Sequence, residues 1–130
     1  MHETVVESLC DMPAAFRTRR DVSMVALIAE SGYLTCADDV TEEEIERHLR
    51  AKPDLVKQWV EHSEDQRCTP ARFLELPDGT DTQPDQCIVG CVEENGSRSE
   101  KKGFSDPFAA CAYYIKRESE SLRSFATEAS

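Results

Sequence analysis

The chain has 130 residues, a formal net charge of −11, 39% hydrophobic and 32% charged residues. That length suits one domain with an ordinary core, and Trp59, five Phe and three Tyr argue against wholesale disorder, which requires depletion of such residues. The acidity disfavours nucleic acid and anionic membrane as partners and favours basic ones, and no apolar run approaches the roughly 18 residues of a membrane span. The charge is also local: Asp21 to Glu94 carries eighteen acidic residues against six basic ones, a net −12, whereas residues 1–20 sum to zero and 97–130 to +1.

In chain order, residues 3–11 read as a short helix within a loosely ordered stretch, 1–20. Val22 to Ala29 forms a more apolar helix closed by Ser31-Gly32, where glycine suits the left-handed position after a helix end. Val40-Thr41-Glu42-Glu43-Glu44-Ile45 is the strongest local signal. Thr41 can accept the Glu44 N–H while the Glu44 carboxylate returns to the Thr41 N–H, and Val40 can pack on Ile45. Three carboxylates in that first turn oppose the positive end of the helix dipole. Ile45, His48 and Leu49 mark the buried stripe, and Pro53 stops the helix near Ala51. Pro53 suits the first turn of a further helix to Glu64, whose apolar stripe is Leu55, Val56, Trp59 and Val60.

After Pro70 the period becomes extended. Arg72 to Leu76 and Gln86 to Glu93 are short, rich in Ile, Val and Phe, and bounded by turn formers, with residues 77–85 a flexible turn region. Glu94-Asn95-Gly96-Ser97 supplies a hairpin turn, with a returning strand near Lys101 to Phe104. Asp106 as N-cap and Pro107 at the first helical position open the last helix, with Phe108, Cys111, Ala112, Ile115 and Leu122 on one face. Residues 123–130 read as loosely ordered. The expectation is a single α+β domain over 1–130: N-terminal helices, a small antiparallel β-meander and a C-terminal helix.

Met1-His2-Glu3-Thr4 lacks the basic and apolar regions of a secretory signal, so a cytoplasmic protein is expected. In that compartment the six cysteines (10, 36, 68, 87, 91 and 111) are expected as reduced thiols. Cys87 and Cys91 would stand about 13 Å apart along a strand, too far to share one zinc, so no metal and no cofactor are expected. Glu44 with His48, and Glu61 with Asp65, share helical faces and are candidates for acid–base chemistry or metal binding. No nucleophile elbow, phosphate loop, dinucleotide fingerprint or zinc-protease pattern occurs, and a non-enzymatic protein is expected.

From Trp59 onward the chain resembles a group of small, mostly uncharacterised bacterial proteins. Their tryptophan helix ends in a Ser-Glu-Asp-Lys-Arg-type motif, followed by an aromatic strand, a Val-Gly strand and a Phe-x-Asp-Pro-x-x-Ala-Cys-Ala closing helix. The matching residues are Trp59, Ser63, Glu64, Asp65, Arg67, Val89, Gly90, Phe104, Asp106, Pro107, Ala110, Cys111 and Ala112. Those proteins read Gly-Trp-Tyr-Phe where this chain reads Ala71-Arg72-Phe73-Leu74. Some of them look like immunity partners of secreted toxins, and the resemblance implies that role.

Charge and resemblance together lead to the expectation of an immunity protein that neutralises a basic toxin, such as a nuclease, without touching nucleic acid itself. An enzyme that grips phosphates presents cations, which carboxylates can occupy. The partner-binding residues expected are Asp38, Asp39, Glu42, Glu43 and Glu46, with Glu61, Glu64 and Asp65 second. The alternatives are a phage-type or regulatory inhibitor that mimics nucleic acid before a host enzyme, and a small thiol- or metal-dependent enzyme.

Overall fold

A computed structural model describes residues 3–19, 23–64, 71–75, 87–93, 95 and 97–128. Helices α1 (Glu3–Cys10) and α2 (Met12–Thr18) occupy the stretch expected to be loose. Val6, Leu9, Cys10 and Met12 are buried in the common core, so apolar burial, not local propensity, orders this segment. Helix α3 (Met24–Ser31) starts at Ser23, whose side chain accepts the Ala26 N–H. It ends at Gly32, where φ is 88°, a left-handed value that costs glycine little. A single turn, α4 (Tyr33–Cys36), and a 3-10 turn (Ala37–Asp39) follow.

Helix α5 (Glu42–Ala51) begins at Thr41, whose hydroxyl accepts the Glu44 N–H at 3.3 Å. The return arm differs from the expected capping box, because the Glu44 carboxylate takes the Thr41 hydroxyl proton, at 3.3 Å. Val40 and Ile45, the expected staple, are both buried. Helix α6 (Asp54–Glu64) buries Leu55, Val56 and Trp59. Trp59 Nε1 donates to the Cys10 carbonyl at 3.0 Å, which ties α6 to α1.

Strands β1 (Ala71–Glu75), β2 (Cys87–Val92) and β3 (Arg98–Phe104) form an antiparallel sheet in the order β1-β2-β3. The register sets Phe73 opposite Gly90 and Cys87 opposite Phe104, with an irregularity between Val89 and Cys91 on the β3 side. The hairpin is closed by the Glu93 N–H donating to the Ser97 carbonyl at 2.7 Å. Ser63 joins α6 to the sheet: its hydroxyl accepts the Leu74 N–H and donates to the Val60 carbonyl.

Helix α7 (Pro107–Glu128) starts as its sequence predicts, with the Asp106 carboxylate accepting the Phe108 N–H at 2.9 Å. Its backbone stays helical past Leu122 as far as Glu128, within the segment expected to loosen. It packs on α1, α3, α5, α6 and all three strands, so Cys111, Ala112, Tyr114 and Ile115 lie at the centre of the core. The architecture is α+β, with N-terminal helices, a strand meander and a closing helix. Among the described residues no helix is long and apolar enough to cross a membrane. The flexible turn expected at 77–85 lies outside the described residues.

Candidate functional site

The acidic segment leading into α5 is anchored from below by one cation. Lys116 of α7 donates from Nζ to the carbonyls of Ala37 and Val40, both at 2.7 Å, and to the Tyr33 hydroxyl at 2.8 Å. The Tyr33 hydroxyl in turn donates to Glu120 at 2.6 Å. The ammonium also sits 4.9 Å from the Tyr33 ring centroid, a cation–π distance. Burial lowers the Lys116 pKa, opposed by the charges of Glu120, Asp38 and Glu42. Burial, then the hydrogen bond to Glu120, raises that of Tyr33. With its carbonyls held inward, the 3-10 turn leaves Asp38 and Asp39 exposed at the surface.

The other expected contact residues divide into distinct groups. Glu43 is exposed on the first turn of α5. Glu42 faces Arg117 of α7 at 3.8 Å, with one of its oxygens buried and without a hydrogen bond. Glu46 pairs with Arg50 at 3.0 Å, and Arg50 also binds Asp106 and lies 5.0 Å from the Phe108 ring centroid. Glu61 pairs with Arg17 of α2 at 3.0 Å. Glu42, Glu46 and Glu61 thus each face an arginine of the same chain, with which a basic partner would have to compete. Glu64 ends α6 with its side chain outside the described set, and Asp65 lies outside it altogether.

Sequence reasoning missed Glu3 and Glu7, which the packing of α1 on α5 brings beside the expected pair of Glu44 and His48. A cleft of about 330 Å³ between these helices is lined by Glu3, Val6, Glu7, Glu44, Arg47, His48 and Ala51. Glu3 and Glu7 are one turn apart on α1, as are Glu44 and His48 on α5. The spacing of Glu3 and Glu7 carries no hint of which helix packs beside them, and that neighbour is set by the fold. Val6 and Ala51 give the cleft its apolar lining, and Arg47 sets one cation beside the three carboxylates. His48 Nε2 is buried here without a hydrogen-bond partner.

Cys10, Cys36, Cys87, Cys91 and Cys111 form no disulfide with one another, and Cys68 lies outside the described residues. Burial raises the pKa of Cys10, with a smaller contribution from Asp11, from 9.0 to about 12. It also raises those of Cys87 and Cys111. Such thiols are poor nucleophiles, because the thiolate is the reactive form. Among the described residues no group of three or more His, Cys, Asp or Glu side chains is placed to hold a metal ion. No protein-family model, no curated protein and no solved structure matches the chain.

Proposed function

We infer that the chain is a non-enzymatic, cytoplasmic inhibitor of the immunity type, which binds a basic toxin such as a nuclease and covers its phosphate-gripping surface. The observation that carries this reading is the arrangement on the Ala37–Asp39 turn and α5. Asp38, Asp39 and Glu43 are exposed there, on a backbone held by Lys116 and the Thr41 cap. The cleft edged by Glu3, Glu7 and Glu44 lies on the α1 side of the same helix. Fixed carboxylates lose less entropy on binding than mobile ones, and their summed field steers a cationic partner. The resemblance from Trp59 onward to small bacterial proteins, some of which look like immunity partners of toxins, points the same way, and the raised pKa values of Cys10, Cys87 and Cys111 give those three thiols little support as nucleophiles.

The test is retention of partners from the native cell's lysate by the immobilised protein, at low and high salt. The reading expects a basic protein retained at low salt and released as salt rises. Retention only of acidic or salt-insensitive proteins overturns it, and a host nucleic-acid enzyme in place of a toxin selects the regulatory-inhibitor alternative.

A further inference from the structure

Where α7 crosses the sheet, the charge reverses. A cleft of about 290 Å³ is lined by Arg72 of β1, Val89, Gly90 and Cys91 of β2, and Tyr113 and Arg117 of α7. Its charged lining residues are both arginines. Lys102 of β3 adds a third cation, since its Nζ lies 4.7 Å from the Tyr113 ring centroid and Arg117 lies 4.8 Å from the same centroid. In a chain of net charge −11, two cations over one aromatic ring, with Arg72 lining the same cleft, are not explained by solubility.

The two guanidiniums are positioned but weakly matched by the protein. Arg72 stands 3.8 Å from Glu118 and 3.5 Å from the Ser121 hydroxyl, with its side chain 20% exposed. Arg117 stands 3.8 Å from Glu42. Both ion pairs exceed the usual 2.7–2.9 Å of a charge-assisted hydrogen bond, so neither takes up the five-donor fork of its arginine. Such forks match the planar or tetrahedral oxygens of carboxylate and phosphate. The volume lies near the lower limit of small-molecule sites, and Val89 and the Tyr113 ring offer apolar surface for a small ligand body.

We propose that this cleft is an oxyanion-binding site, in which Arg72 and Arg117 hold the carboxylate or phosphate group of a small ligand against Tyr113. Although Arg117 also faces Glu42 of α5, the site rests on the arginine cleft alone and does not depend on the inhibitor reading. Amide chemical shifts of the intact protein, titrated at constant ionic strength with inorganic phosphate and separately with benzoate, test it. At least one probe is expected to shift Gly90, Cys91 and Tyr113 saturably, phosphate alone indicating phosphate chemistry and benzoate alone carboxylate chemistry. Arg117→Gln should weaken that binding about tenfold or more, the scale of one charge-assisted hydrogen bond. Arg50→Gln removes an exposed guanidinium outside the cleft and should leave it unchanged. Arg117→Lys, which keeps the charge but loses the fork, carries the same comparison if Arg117→Gln unfolds. The proposal is overturned if neither probe gives saturable shifts, or if the Arg117 and Arg50 variants bind alike.

Discussion

Ser119 lies fully buried on α7 with its hydroxyl lacking a hydrogen-bond partner. A buried polar group in that state costs about 1–3 kcal/mol, whereas deleting it leaves only a small void. Ser119→Ala is therefore expected to be neutral or to raise stability by up to about 1 kcal/mol, read as the urea midpoint; a loss greater than that would mean that the hydroxyl has a partner. The buried thiols give a second expectation. Because the folded Cys10 pKa is raised from 9.0 to about 12, the native state holds a proton that the unfolded chain releases first. Its contribution is complete below pH 9 and is lost as pH rises towards 12. Cys10→Ala should flatten the fall in stability over that range, and in the wild type at pH 8 Cys10 should react with a thiol reagent only after denaturation. Rapid labelling of native Cys10 would contradict its burial.

Helix α5 and the turn before it depend on two devices of different range. Thr41→Ala removes the local cap and is expected to cost about 0.5–2 kcal/mol, measured by urea melts. Lys116→Met removes the long-range one, leaving the carbonyls of Ala37 and Val40 without their donor, and is expected to cost about 1–3 kcal/mol. It should also speed amide exchange in residues 37–41 more than elsewhere, an effect absent if the turn holds itself. The contrast shows what was legible in the sequence. The Thr41 hydroxyl cap of α5, the Gly32 terminus, the Asp106-Pro107 start of α7 and the extended segments in β1 and β2 are each specified within a few residues, and each appears in the fold. The α4 turn, the ordering of α1 and α2, and the Lys116 anchor arise from contacts between residues far apart in the chain. The same holds for the expected site. Glu46 and Arg50 are one helical turn apart and their pairing was visible in the spacing, whereas Arg17 and Arg117 reach Glu61 and Glu42 only in the folded chain.

At the scale of the whole molecule, α7 packs between the N-terminal helices and the meander, and the surfaces on its two sides differ in sign. The helices present Asp38, Asp39 and Glu43, and the sheet side presents the Arg72 and Arg117 cleft. The internal pairs of Glu42 and Glu46 make their reversal a poor test, since it would break the contact of Glu42 with Arg117 of α7 and that of Glu46 with Arg50 within α5. The exposed residues Asp38 and Glu43 allow a cleaner one. The most direct measurement is the rate at which the purified protein associates with its captured basic partner, followed across salt concentration for the wild type and for the double variant Asp38→Lys, Glu43→Lys. Steering by the acidic surface predicts a low-salt rate towards 10⁸–10⁹ M⁻¹s⁻¹, roughly the steered limit, that falls steeply as salt rises. The double variant should drop towards the unsteered range of about 10⁵–10⁶ M⁻¹s⁻¹ with its circular dichroism unchanged. An association rate indifferent both to salt and to the double reversal would contradict the account, leaving the acidic surface as hydrated exterior and placing the interface elsewhere on the molecule.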